Sequence, residues 1–359
     1  MADGSAPAVT QTTSAPPIVI QQMPPQPIWV RRWFVRGLMI ALAFSLLYCV
    51  RLSSEYQQYF DDGTSPTERY HSGDKIAEDK IAVIEASGTI MPPFTGHLLD
   101  AIKKVNDDDQ VKGVLLVIDS PGGLVADSHQ IYVKLKKLSD KKPMFVAMKR
   151  IAASGGVYIA MGAGEKGKIF AEPTTWTGSI GVIIPRYDAS ELAAKVGVKT
   201  DSLKTGEFKD SLDPLRALTD RDKELWGRIL DESLQRFVKI VADNRPKLDE
   251  AQVKVLATGQ LFTAAEAKEN GLVDEIGDEE EAIEALKTQL GLSKVRVVKY
   301  TFPVSLMSLL LGQAQAHDPE VRLRKLLEMS VPRAMYFSGS AQSISPLWQT
   351  VIKHGELVN

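Results

Sequence analysis

The chain has 359 residues, enough for one large domain with appendages or for two modest domains with a sizeable buried core. Its 43 lysine and arginine residues nearly balance 45 aspartate and glutamate residues, giving a formal charge of −2, so no basic field points to nucleic acid as a partner. The single cysteine, Cys49, cannot form an internal disulfide and lies in an apolar run, so cysteine usage does not indicate a compartment.

The N-terminal residues, 1–28, are rich in proline, serine, threonine and glutamine. Their hydrophobicity is too sparse and too irregular to build a core. We therefore predict a disordered tail over residues 1–28.

An apolar segment follows the tail. Three arginines precede an uninterrupted apolar stretch from Gly37 to Val50, and Arg51 closes it. Fourteen helical residues span about 21 Å, less than the roughly 30 Å of a bilayer core, so length alone also permits a cleaved signal peptide. Interfacial aromatic residues and arginines that can snorkel favour a retained transmembrane anchor over 29–52, and no small-residue cleavage site follows.

The positive charges before this segment set its predicted orientation, with the tail in the cytoplasm and the rest of the chain exported. A buried helix of a soluble protein is the third interpretation, disfavoured because such helices rarely carry an arginine cluster at one end. A polar linker is predicted at 53–79.

The pattern changes after the linker, where short apolar runs alternate with longer amphipathic ones. Strands are predicted at 80–90, 111–120 and 143–148, and helices at 98–105, 124–138 and 154–163. This alternation is typical of parallel strands joined by crossover helices, and hence of an α/β fold. We place one domain of this kind at 80–299.

Two later helices have clear sequence signals. A long amphipathic helix is predicted within 218–245, beginning after Thr219 or Asp220, with its apolar stripe in the core. A shorter one has a capping box of Thr263 and Glu266, and Gly271 suits the left-handed position after its end.

Two other stretches are less informative. The acidic runs at 107–109 and 279–281 are interpreted as solvated faces, not as metal sites, since no histidine lies near either in sequence. The C-terminal extension, 300–359, departs from the α/β pattern and contains an apolar stretch too short to span a bilayer. A docking segment, a subunit contact and a membrane-facing rim all remain open for it.

Two glycine turns are candidates for a functional site. DSPGG ends at Gly123 after one predicted strand, and ASGG places Ser154 between the next strand and a short helix. Neighbouring parallel strands present their C-terminal ends on one rim, where α/β proteins hold ligands. Ser154 would then attack while the amides of Gly123 and Gly155 receive the developing negative charge. Taken singly, each motif equally fits an ordinary turn, with Ser154 a plain helix cap.

A serine hydroxyl is a poor nucleophile until a base takes its proton. No histidine lies between Ser154 and the long helix, and His129, upstream on the helix after DSPGG, is disfavoured. Lys209, in LKTGEFKDSLDP, remains as the candidate base. It would act as a base only if burial lowered its pKa from about 10.4 toward about 7–8, and a lysine in such a loop is ordinarily a solvated charge.

Five motifs in order, DSPGG, ASGGVYIA, TGSIGV, GEFKD and GLVDEIG, closely resemble the signal peptide peptidase A family, membrane-anchored bacterial serine proteases of the Clp-protease/crotonase superfamily. The resemblance covers roughly residues 80–290 and implies a Clp-protease/crotonase-like fold. It also implies a Ser-Lys dyad with Ser154 as nucleophile and Lys209 as general base. Ser179 would hydrogen-bond the lysine amine, and the amides of Gly123 and Gly155 would form the oxyanion hole.

The resemblance further implies an endopeptidase that degrades cleaved signal peptides and similar hydrophobic peptides at the bacterial inner membrane. A ring-like homo-oligomer of about eight chains is expected, with no metal and no organic cofactor. Two alternatives remain: a crotonase-type acyl-CoA enzyme, and a catalytically silent scaffold of the same fold. A free-amine base would make activity rise with pH.

Overall fold

The computed structural model describes residues 28–60, 66–301 and 335–337. The chain divides into two compact units, Met1–Gly63 and Thr64–Asn359. The described residues of the first unit form helix α1 (Ile28–Phe60), which covers the segment predicted as an anchor. Among the described residues, no helix is long and apolar enough to cross a membrane. The transmembrane span at 29–52 therefore stays a prediction, and the predicted tail lies outside the described residues except for Ile28.

Short strands and helices alternate in the second unit. Its strands are β1 (Thr67–Gly73), β2 (Lys80–Ser87), β3 (Val111–Ser120), β4 (Gly122–Leu124), β5 (Met144–Ala153), β6 (Ile169–Ala171), β7 (Trp176–Gly178), β8 (Leu261–Thr263), β9 (Glu275–Ile276), β10 (Arg296–Thr301) and β11 (Met335–Phe337). Its helices are α2 (Phe94–Asp107), α3 (Val125–Ser139), α4 (Gly155–Ala160), α5 (Ser190–Lys195), α6 (Asp220–Asn244), α7 (Glu250–Leu256), α8 (Ala264–Glu269) and α9 (Glu279–Gln289). Short 3-10 helices lie at Met161–Ala163 and Glu207–Asp210.

Within the described ranges, nine strands form one sheet, in the order β1-β10-β2-β3-β5-β6-β9 with β7 and β8 branching from β5. The pairs from β10 to β9 are parallel, whereas β1 pairs antiparallel with β10. The predicted α/β architecture with a parallel sheet is confirmed.

The two faces of β3 explain why its central residues, from Val114 to Ile118, are all apolar. Val114, Leu116 and Ile118 pack into one hydrophobic cluster, with α2, α3 and the C-terminal half of α6. Leu115 and Val117 point the other way, into a second cluster with α9. Successive residues of a strand alternate between faces, so a strand covered on both sides must be apolar at every position.

The capping signals are also confirmed. Thr219 caps α6 by accepting the backbone N–H of Asp222, and Thr263 caps α8 by accepting that of Glu266. Gly271 follows α8 with a φ of +84°, the left-handed conformation predicted for it.

The structure differs from the sequence prediction in several places. The strand predicted at 143–148 extends to Ala153, and β10 ends at Thr301, within the predicted C-terminal extension. The stretch predicted as a linker, 53–79, includes the end of α1 and all of β1. Side chains of β1 are mostly exposed because it is an edge strand, so no apolar alternation marks it in sequence. In α6, Phe237, Val238 and Val241 are buried as predicted, but the stripe from Leu225 to Leu230 is only half-buried. That half of the helix instead contacts the loop that carries Lys209, where the indole N–H of Trp226 donates to Ser211 Oγ at 3.0 Å.

Candidate active site

Ser154 lies at the junction where β5 ends and α4 begins. Its backbone has φ 55° and ψ −111°, a conformation that residues with a side chain rarely adopt. The residue is fully buried, and its Oγ has no hydrogen-bond partner among the described residues. Strained backbone and an unsatisfied buried hydroxyl are both unfavourable, and such features concentrate at functional sites.

Ser179 lies beside Ser154 because β5 and β7 are parallel neighbours. Ala153 pairs with Gly178, and the backbone N–H of Ser154 donates to the carbonyl oxygen of Gly178 at 2.8 Å. Ser179 follows directly, is 6% exposed, and has a φ of +50°. Thr177 reinforces the pairing by donating its hydroxyl to the carbonyl of Ala152 at 2.7 Å. The structure therefore brings together the two serines that the sequence predicted for one site.

The two predicted oxyanion glycines are also neighbours. A Cβ atom on Gly155 would lie 2.7 Å from Ser128 Oγ and 3.1 Å from the backbone nitrogen of Gly123. A Cβ on Gly123 would overlap the backbone of Ile90, at 2.0 Å from its carbonyl oxygen. Only glycine fits at either position, which accounts for the small residues around Ser154. The backbone nitrogen of Gly123 thus lies beside Gly155, the residue that directly follows Ser154.

The DSPGG turn is held by contacts that the sequence did not reveal. Ser120 Oγ accepts the N–H of Gly122 at 3.2 Å inside the turn. The carboxylate of Asp119 accepts a hydrogen bond from Arg150 Nε at 2.9 Å, which joins the ends of β3 and β5. The sequence placed Asp119 at the end of a strand and the start of a turn and gave it no partner. The exposed guanidinium of Arg150 carries no periodic signal that would have identified this pair.

The far C-terminal segment meets the same turn. β11 pairs antiparallel with β4, with Tyr336 opposite Gly123 and Phe337 opposite Gly122. On its other side, Gly123 forms a parallel bridge with Ile90. An extended segment of the chain thus lies along the glycine turn next to Ser154. The sequence left the role of residues 300–359 open.

The described residues show no hydrogen bond between Lys209 and Ser154. Lys209 lies in the 3-10 helix Glu207–Asp210 and is exposed, and within the described ranges its amine makes no hydrogen bond or ion pair. Because Ser154 Oγ also has no partner there, the predicted Ser-Lys hydrogen bond is not formed among the described residues of the single chain. The assignment of Lys209 as the base stays a prediction.

His129 is occupied elsewhere. Its Nδ1 lies 2.8 Å from the hydroxyl of Tyr158, one turn beyond Ser154 in α4. Burial lowers the pKa of His129, and the nearby charge of Arg236 lowers this pKa further. His129 therefore supports the aromatic packing of α4 and does not contact the hydroxyl of Ser154.

Comparison with known proteins places the chain in a family. Residues 136–293 match the model of peptidase family S49, and residues 74–178 match the Clp protease model. A candidate protease of Synechocystis sp. is 41% identical over 218 residues, which make up 61% of this chain and 77% of that protein. The chain belongs to peptidase family S49.

Two further relatives of this S49-family protease are informative. A candidate signal peptide peptidase, SppA, from Enterococcus faecium is 40% identical over 207 residues, 57% of this chain and 58% of that protein. The chloroplastic serine protease SPPA of Arabidopsis thaliana is 30% identical over 274 residues, 72% of this chain and 39% of that protein. The match thus spans little more than half of one relative and less than half of the other. Among solved structures, a mutant ClpP1 from Listeria monocytogenes is 16% identical with a TM-score of 0.38, over 56% of this chain and 94% of that one.

Proposed function

We propose that this S49-family protease is a serine endopeptidase in which Ser154 is the nucleophile and Lys209 the general base. One observation carries the proposal: the hydroxyl of Ser154 is buried and unpaired among the described residues, on a strained strand-helix junction beside two glycine amides. A plain helix cap would accept a backbone N–H, whereas the side chain of Ser154 makes no such bond.

The proposed reaction follows from these groups. Lys209 takes the proton of Ser154 as Oγ attacks the carbonyl carbon of the substrate, and the amides of Gly123 and Gly155 donate to the resulting oxyanion. The peptide C–N bond then breaks, and the amine product leaves with the proton from Lys209. Water, deprotonated by the same lysine, hydrolyses the acyl-enzyme and restores the serine. Ser179 would hold the amine in line with Ser154.

The exposure of Lys209 sets a condition on this mechanism. A solvated ammonium cannot accept a proton near neutral pH, so the amine must be desolvated and brought to Ser154. Two arrangements would achieve this: movement of its own loop on substrate binding, or approach of Lys209 from a second copy in the predicted homo-oligomer of about eight chains.

For substrates, we propose signal-peptide remnants and similar hydrophobic peptides. The name of the Enterococcus faecium relative supports this class. The pairing of β11 with β4 supports binding of an extended chain along the glycine turn. We further propose an N-terminal anchor in the bacterial inner membrane, a cytoplasmic tail and an exported catalytic unit, supported by the arginine cluster before Gly37 and the apolar run after it. The proposed chemistry requires no metal and no cofactor.

The decisive experiment is covalent labelling of the full chain with a serine-directed phosphonate probe, read by mass spectrometry of the modified peptide. We expect label on Ser154, no label there in Ser154→Ala, and strongly reduced label in Lys209→Ala, with circular dichroism unchanged. Absence of label on folded wild-type protein would favour the silent scaffold. Full labelling in Lys209→Ala would reject the lysine as base. It would leave open the crotonase-type acyl-CoA enzyme, which needs no such pair.

A mixing experiment separates the two arrangements of the dyad. Chains carrying Ser154→Ala and chains carrying Lys209→Ala are inactive alone under either arrangement. If they regain peptidase activity when unfolded and refolded together, the lysine acts on the serine of another copy. If the mixture stays inactive while refolded wild type recovers, both groups come from one chain.

A further inference from the structure

Two carboxylates share the short 3-10 helix with Lys209, and other cations hold both. Lys204 Nζ donates to both oxygens of Asp210, at 2.8 and 2.9 Å. From α6, Arg221 Nη1 lies 2.8 Å from a carboxylate oxygen of Glu207. Neither acid is thus paired with the lysine between them.

Arg216 ties Asp210 to the body of the unit. Its Nε donates to the backbone carbonyl of Asp210 at 3.3 Å, and its Nη2 lies 3.4 Å from the carboxylate of Asp210. Its Nη1 donates to Asp222 in the first turn of α6 at 2.8 Å, and Asp222 is only 1% exposed. Because α6 is anchored in the core, this guanidinium fixes the position of the residue next to Lys209.

Three other acids near this loop also have partners within the described ranges. Asp213 accepts the backbone N–H of Leu215 at 2.8 Å. From the segment after β7, Arg186 lies 3.5 Å from Asp188. In α6, Lys223 lies 3.0 Å from Asp220. Within the described ranges, Lys209 makes no ion pair with a carboxylate, unlike Lys204, Arg216 and Arg221 beside it.

We infer that Lys204 is a positioning residue for the base: by holding the carboxylate of Asp210, it keeps the amine of Lys209 without a counter-ion and able to lose its proton. A carboxylate within about 4–6 Å stabilises an ammonium and raises its pKa, which reduces the fraction of free amine that catalysis needs. The shift reaches about 1–3 units in close, partly buried pairs and is smaller at an exposed residue such as Lys209. The hydrogen bond from Lys204 is the main cause that lowers the pKa of Asp210. The carboxylate of Asp210 therefore stays ionised while Lys204 holds it. The inference rests on the proposed role of Lys209.

The test measures the ionisation of Lys209 without relying on activity. Full-length protein carrying Ser154→Ala is acetylated at a series of pH values with trace acetic anhydride, and the Lys209 peptide is quantified by mass spectrometry. Lys204→Met should raise the apparent pKa of Lys209 by about 0.5–1 unit. The matched control, Lys199→Met, removes the charge of another exposed lysine from the same loop and should leave this pKa unchanged. Adding Asp210→Asn to Lys204→Met should return it to the starting value.

In protein that retains Ser154, the same substitutions should shift the acid limb of the pH-activity profile by the same amount and in the same direction as the pKa of Lys209. Equal Lys209 pKa values in the Lys204→Met and Lys199→Met proteins would overturn the inference, as would a double variant that keeps the raised pKa. If Lys204→Met lowers the rate without shifting the acid limb of the pH-activity profile, the substitution has only loosened the loop. That result would also overturn the inference. If the pKa shifts as expected while Ser154→Ala retains peptidase activity, Lys204 still controls the ionisation of Lys209, but the proposed function fails and with it the role of Lys204 as a positioning residue for a catalytic base.

Discussion

The backbone N–H of Ser154 donates to the carbonyl oxygen of Gly178 at 2.8 Å, so the residue after β5 and the residue after β7 lie side by side. Both of these residues, Ser154 and Ser179, have a positive φ. Two strained serines at the ends of adjacent parallel strands form the frame of the candidate site, and each can be tested separately.

Ser179→Ala should lower kcat/KM by roughly 5- to 150-fold, because it removes one oriented hydrogen bond worth about 1–3 kcal/mol. Thermal unfolding should be nearly unchanged, since the hydroxyl of Ser179 has no partner within the described residues. Thr177→Val serves as the contrast. It removes a buried hydrogen bond to Ala152 and should lower the melting temperature instead. A Ser179→Ala protein that does not fold would assign Ser179 a structural role.

Gly155→Ala should reduce the rate by about 100-fold, the order expected when an oxyanion donor is displaced. The added methyl would meet Ser128 Oγ at 2.7 Å and crowd the amide of Gly123. Gly227→Ala in α6 is the control, because its Cβ would meet nothing within 4 Å. Peptide-cleavage rates of the two proteins, beside their circular dichroism spectra, decide the matter. Equal rates would exclude the Gly155 amide from the oxyanion hole.

Removal of the C-terminal residues from Met335 onward should lower KM for an extended peptide roughly tenfold. The edge of β4 that β11 occupies would then be open to substrate. A chain that ends at Phe337 keeps β11 and provides the matched control. Steady-state kinetics with a synthetic signal peptide measure the difference. Identical KM values for the two shortened chains would mean that β11 does not compete with substrate.

Asp222→Asn should destabilise the protein by about 1–2 kcal/mol at pH 7, the order of a helix-cap interaction. The hydrogen bond from Arg216, followed by those from Thr219, holds the pKa of Asp222 well below its usual value. Its stabilisation is therefore present above about pH 4 and is lost as the pH falls toward the folded-state pKa. The difference in melting temperature between wild type and Asp222→Asn should therefore be smaller at pH 3 than at pH 7. Asp220→Asn is the control, because Asp220 is also in the first turn of α6 but is exposed. Its melting temperature should differ less from that of wild type at both pH values.

Local signals explain why much of the framework was predictable. The run from Val114 to Ile118 is apolar on both faces, which identifies a central parallel strand without a structure. Thr263 and Glu266 form the predicted capping box because capping depends on residues three apart. β1 was missed for the opposite reason, since its partner β10 lies more than 200 residues along the chain and its exposed side chains carry no pattern.

By itself, the sequence determined the α/β architecture, the glycine turns and the serines within them, because strand periodicity, caps and turn chemistry are short-range properties of the chain. Only the tertiary structure decided that Ser154 and Ser179 are neighbours, that β11 lies along β4, and that Lys204 and Arg216 hold Asp210. These relationships depend on strand register and on side chains that meet across long separations. No local pattern specifies such contacts before the core has packed.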